Sequence, residues 1–142
     1  MRIRRAQPED APALAPLLEE LGYPDDAERV RARLLSFAPD STSFVLVAED
    51  AGRLLGSASA SVMPLLQEDG SWCRLSALVV AEDCRRAGVG RALVAEVEKL
   101  AHAAGCRYIE VTSGERSERE AAHAFYEALG LEQVSRRYFK KL

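Results

Sequence analysis

The segment Arg85-Arg86-Ala87-Gly88-Val89-Gly90-Arg91 follows the apolar run Leu78-Val79-Val80 and leads into residues with helical spacing. A strand that ends in a short turn of arginine and glycine and then opens a helix is suited to holding phosphate. The first amides of a helix have no internal acceptor and carry partial positive charge. Glycines at 88 and 90 remove side chains that would keep an anion away, and arginines on both sides add full positive charge. The run lacks the GK[ST] ending of a nucleoside-triphosphate loop and the GxGxxG spacing of a dinucleotide site. Taken alone, it reads equally well as a glycine-containing turn with surface arginines.

Two further residue types could do chemistry. In the strand pattern 108 to 112, Ile109 and Val111 point one way while Tyr108, Glu110 and Thr112 point the other. A carboxylate in a largely buried parallel strand calls for a reason, and Glu110 is open to two readings, a proton acceptor or a solvent-facing residue. Cys84 stands beside Arg85 and Arg86, where a thiol is either activated by the neighbouring charge or an inert loop cysteine.

These residues depend on the elements that carry them. Val89, Leu93, Val94, Val97, Leu100, Ala101 and Ala104 repeat as a helix lying against a sheet, with Gly105 closing it, so the first turn falls at Gly88 to Arg91. Upstream, a short strand at 1 to 6 precedes a helix over 8 to 21, in which Pro16 removes an internal hydrogen bond and predicts a kink. Asp25 or Asp26 caps a second helix carrying Val30, Leu34, Leu35 and Phe37. Residues 44 to 49 and 53 to 62 form a hairpin across Asp50-Ala51-Gly52, and 71 to 80 supplies the next strand. The pattern then becomes strand, helix, strand (107 to 112), helix (118 to 129) and a last strand near 132 to 141, hence a parallel pair. Ser117 and Glu120 have capping-box spacing, and Gly130 should end the last helix.

The chain has 142 residues, 48% hydrophobic and 29% charged, which suits one globular domain over 1 to 142. A net charge of -3 argues against a general nucleic-acid partner, because phosphate-backbone affinity needs a cationic surface. No apolar run approaches a membrane span or signal peptide, so a cytoplasmic location with no membrane partner is expected. Three cysteines without paired spacing predict free thiols and no metal site.

The strand at 71 to 80, the arginine and glycine turn, its helix, and the segment His123-Ala124-Phe125-Tyr126-Glu127-Ala128-Leu129-Gly130-Leu131 together resemble the GNAT superfamily of N-acetyltransferases. The resemblance spans essentially the whole chain in element order. It implies an α/β (α+β) fold: a mixed, mainly antiparallel sheet of six or seven strands with a central splayed parallel pair and helices on both faces. It also implies acetyl-CoA as cosubstrate, with Arg85, Gly88 and Gly90 matching the family's pyrophosphate pattern within the 85 to 91 cradle. Leu78, Val79 and Val80 take the place beside the pantetheine arm, where strand amides matter more than side chains, and an amide near Val80 could stabilise an oxyanion.

Tyr126 matches the family tyrosine whose hydroxyl protonates the departing thiolate, and Ile109-Glu110-Val111 looks like the stretch whose glutamate relays the amine proton through water. The spacing from Glu110 to Tyr126 is longer than in those relatives, as if residues were inserted around Gly114. Glu82 replaces a usual proline, and Arg119 stands where an asparagine is frequent. His123, three residues before Tyr126, either orients the phenol, acts as the base, or is a half-buried polar neighbour. Tyr23, Trp72 and the pair Glu68-Asp69 could line a pocket for a cationic amine, or be ordinary loop residues. The function expected is direct acetyl transfer from acetyl-CoA to a primary amine of unidentified kind. The alternative is a non-catalytic acyl-CoA-binding or protein-interaction module. An exposed final strand would allow a homodimer.

Overall fold

The structure, a computed structural model, describes residues 1–37, 42–111, 120–134 and 138–142. It divides into two compact units, Met1–Glu110 and Val111–Leu142.

The first unit is built on strands β1 (Arg2–Arg5), β2 (Ser43–Asp50), β3 (Arg53–Pro64), β4 (Ser71–Val80) and β5 (Cys106–Val111), in that spatial order. Neighbours β1 to β4 run antiparallel, and β4 and β5 form the parallel pair. The β2–β3 hairpin closes on Ala51 and Gly52, both with positive φ, the conformation that matches strand twist in a two-residue turn. Five strands stand among the described residues, fewer than the six or seven expected, and the parallel pair ends the described sheet. Residues 132–134 and 138–142 are not in strand, so the basis for an edge-strand dimer is absent from them.

A short 3-10 turn (Pro8–Asp10) leads into α1 (Ala11–Leu21), which keeps Pro16 within it and ends at left-handed Gly22. The side chain of Asp26 caps α2 (Ala27–Leu35) by accepting from the Arg29 amide at 2.9 Å. Leu14, Leu17 and Val30 pack with Val47 and Val79, so both helices cover one face of the sheet. α3 (Val89–Ala103) covers the other: an ideal Cβ on Gly56 of β3 would meet its Val89 and Leu93. Val89, Leu93, Val94, Val97 and Ala101 are buried, each contributing about 1.5–3 kcal/mol of apolar burial for the larger side chains. β3 serves both layers by alternation. Gly56, Ala58 and Ala60 are the small residues that admit α3, and Ser57 and Ser59 face the α1–α2 side.

Arg4 ties β1 to its surroundings. Its guanidinium donates twice to Asp10 at 2.8 Å and to Glu49 at 3.0 Å. Hydrogen bonds from Arg4 hold the Asp10 carboxyl below the usual carboxylate range, despite the opposing effect of burial. A carboxylate lowered in the folded state stabilises above its unfolded value of about 3.9, and that contribution disappears as pH falls through the lower folded value. Asp10→Asn should therefore melt below the wild type at pH 7, with the gap narrowing as the pH is taken below 3. Thermal melts at the two pH values check this, and a gap independent of pH would contradict it.

The second unit contains α4 (Glu120–Ala128), ended by left-handed Gly130 as expected, with the Leu131 amide donating to the Tyr126 carbonyl at 3.1 Å. Ser117, Arg119 and Gly114, on which the capping box, the missing asparagine and the insertion depend, lie outside the described residues.

Candidate active site

The turn between β4 and α3 adopts a phosphate-compatible shape. After a 3-10 turn at Glu82–Cys84, Arg85 is extended, Arg86 has φ +65° and Gly88, the N-cap of α3, has φ +84°. A left-handed residue followed by right-handed helical ones, as at Gly88 and Val89, turns successive amides toward one side, a concavity suited to an anion. Gly88 is needed for its dihedral, since a Cβ there would meet nothing within 4 Å. Arg86 holds the same region without that freedom, at a cost of about 1–2 kcal/mol. Arg86, Ala87, Gly88 and Arg91 are exposed, whereas Val89 and Gly90 are buried in the first turn of the helix. Gly90 thus serves packing as well as access.

The arginines divide. Arg85 turns back, its Nε donating to the Val80 carbonyl at 3.4 Å and its guanidinium lying 3.9 Å from Glu20. Among the described residues, Arg86 and Arg91 enter no ion pair. Their charge is available to an anion at the helix start. Cys84 is not an activated thiol: desolvation and the adjacent Asp83 carboxylate raise its pKa, outweighing the lowering effect of Arg53. Buried Cys73 is pushed up to about 11, mainly by desolvation.

Strand β4 carries an irregularity that sequence reading missed. Ser59 pairs with Ala77 and Ala60 with Leu75, which leaves Ser76 opposite no residue. The Ser76 hydroxyl donates to the Ser59 carbonyl at 3.1 Å and lies 3.0 Å from the Ser59 hydroxyl, fixing the bulge. A bulge bends its strand and interrupts the ladder, here just before Leu78, Val79 and Val80. Ser76 alone carries no signal of it, because the extra residue appears only when the two strands are paired.

Glu110 and Tyr108 share a face, as alternation predicted. Glu110 accepts from Arg74 at 2.8 Å, Arg74 lies 5.1 Å from the centre of the Trp72 ring, and Trp72 meets Tyr108 at 6.2 Å. The carboxylate therefore has a structural partner on an accessible face, with 40% of its side chain exposed. Of the expected acceptor-pocket residues, Trp72 belongs to this cluster. Tyr23 is exposed in the α1–α2 connection, and the Glu68 carboxylate lies 3.8 Å from Arg107. Within α4, Tyr126 is half-buried with its ring 5.4 Å from Phe125, edge to face, and His123 is half-buried one turn earlier.

The mixed sheet with its parallel pair and covering helices matches the fold of GNAT acetyltransferases. Residues 8–131 match the acetyltransferase (GNAT) family, and the chain belongs to it. It is 34% identical over 138 residues to an aminoglycoside N(6')-acetyltransferase type 1 from Stenotrophomonas maltophilia, covering 94% of this chain and 88% of that protein. Its fold matches a GNAT family acetyltransferase from Staphylococcus aureus with a TM-score of 0.84 at 22% identity, over 99% of this chain and 98% of the other. It also matches an aminoglycoside acetyltransferase from an uncultured soil metagenomic sample, solved with sisomicin, with a TM-score of 0.76 at 20% identity, over 99% and 96% of the two chains. The chain is an N-acetyltransferase that transfers an acetyl group to an amine. Among the described residues no helix is long and apolar enough to cross a membrane.

Proposed function

We propose that this enzyme transfers the acetyl group of acetyl-CoA directly to a primary amine, with no acetylated enzyme intermediate. The observation that carries the cosubstrate assignment is the nest at Arg86 to Arg91, where two left-handed residues, an open helix start and two arginines without ion pairs converge. Acetyl-CoA supplies the thioester and a pyrophosphate suited to that nest. Arg86, Ala87, Gly88, Val89, Gly90 and Arg91 would hold the pyrophosphate, with Arg85 tying the turn to Val80 and Glu20. The bulge at Ser76 favours Leu78, Val79 and Val80 as the backbone that aligns the pantetheine arm, with an amide near Val80 facing the developing oxyanion.

An amine of pKa about 8 to 10.4 must lose a proton before attack. Glu110 takes that proton through water from the accessible face it shares with Tyr108, and Arg74 holds its carboxylate there. Tyr126 returns a proton to the thiolate, whose conjugate acid has a pKa of about 8.5 for a free thiol.

Arg86→Glu and Arg91→Glu should each raise the KM for acetyl-CoA about 10-fold or more with little change in kcat, since a charge-assisted hydrogen bond is worth about 1.5–3 kcal/mol. An unchanged KM in both variants would remove the nest from the cofactor site. The function itself is tested by thiol release from acetyl-CoA against α-amines, lysine side chains, polyamines, aminoglycosides and small alkyl or aryl amines. Release with at least one class is expected. Acetyl-CoA binding without release against all of them would leave an acyl-CoA-binding module.

A further inference from the structure

We infer that the acceptor is a primary amine with an apolar body, a short alkyl chain or a single ring, and that polycationic amines are poor substrates; this rests on the acetyl-transfer reading above. Between the α1–α2 layer and the sheet lies a cavity of about 210 Å³. Leu14, Leu18 and Leu21 of α1 form one wall at helical spacing, and Leu34 of α2, with Phe37 just beyond it, forms another. Leu18, Leu21, Leu34 and Phe37 are only half-buried, so the apolar walls face an opening and not a closed core. The floor includes Ala77 and Val79 of β4, beside the bulge and on the strand assigned to the pantetheine arm. An occupant of the cavity therefore lies against the strand that aligns the thioester.

The polar groups in the lining decide the charge of that occupant. The Ser57 hydroxyl donates to the Leu46 carbonyl at 2.9 Å, and Ser59 is engaged with Ser76. Neither presents a charge. Among the described lining residues the ionised one is Arg33, paired with Asp25, and none is a carboxylate. Burying an ammonium group without a counter-ion is costly, and the additional amines of a polyamine or a multiply charged aminosugar meet no carboxylate among these described residues. A neutral hydrocarbon loses only its contact with water.

The test measures kcat/KM by thiol release with acetyl-CoA for a series of unbranched primary alkylamines, phenethylamine, spermidine and kanamycin. Each added methylene should raise kcat/KM about fourfold until the cavity is filled, and both polycations should fall below the best alkylamine. Leu18→Trp, which fills the cavity from α1, should flatten the chain-length dependence and lower kcat/KM for the longer amines about 10-fold, leaving KM for acetyl-CoA unchanged. If that variant does not fold, the wild-type series decides alone. A flat series, or spermidine or kanamycin preferred over every alkylamine, overturns the inference while leaving acetyl transfer standing. No release with any amine overturns both.

Discussion

Tyr126→Phe should bind acetyl-CoA as the wild type does and turn over roughly 100-fold or more slowly, the scale of one general acid. The substitution removes a single hydroxyl and keeps the ring, so the edge-to-face contact with Phe125 and the helical backbone of α4 persist. On the role proposed for Tyr126, what is lost is the proton for a departing thiolate. Because this donor acts after the carbonyl has been attacked, the deficit belongs in kcat, with KM for acetyl-CoA little altered. It should also shrink with an acyl donor whose leaving thiol is more acidic, because such a thiolate needs no proton to depart. Steady-state kinetics with both donors checks the assignment. Equal turnover of the variant and wild type, or a deficit of the same size with both donors, would assign Tyr126 to packing.

Gly56→Ala should destabilise the protein by about 1–3 kcal/mol, the usual cost of an extra methyl in a packed site, and lower its Tm by roughly 3–10 °C. An ideal Cβ would lie 2.7 Å from the Val79 carbonyl oxygen, 3.2 Å from Val89 Cγ1 and 3.3 Å from Leu93 Cδ1. The first of these is backbone in the β3–β4 ladder and cannot rotate away, so the strands or α3 must move. Val89 opens α3 directly after Gly88, and a helix displaced there carries the anion nest with it. The KM for acetyl-CoA should rise in addition to the stability loss, which an ordinary core lesion far from the helix start would not produce. Thermal melts and KM on the same preparation separate the effects. A variant melting with the wild type would show that α3 does not seat this closely on β3.

Reading by residue type worked where the constraint is local. Gly22, Gly105 and Gly130 follow their helices in left-handed conformation, Asp26 caps α2, and the first turn of α3 lies where its apolar repeat and the glycine at 88 put it. Each depends on only a few neighbouring residues. The alternation that set Glu110 and Tyr108 on one face is of the same kind. Expectations that needed a partner fared less well. A strand over 132 to 141 requires a neighbour to pair with, and residues 132–134 and 138–142 do not form one. Of the two readings open for Cys84, the inert one holds, because desolvation and the carboxylate of Asp83 raise its pKa where the neighbouring arginines alone would suggest activation.

The sequence by itself determined the arginine and glycine turn that opens α3, the order of elements around it and the family to which the chain belongs, because backbone dihedrals, caps and apolar periods are written in short runs of residues. Only the tertiary structure decided that Ser76 is a bulge, that Arg85 faces the strand while Arg86 and Arg91 remain without ion pairs, that Glu110 is held by Arg74, and that the cavity under α1 and α2 is apolar. These depend on strand register and on side chains brought together from distant positions. A period of two or 3.6 assigns a residue to a face, but not the residue it meets there.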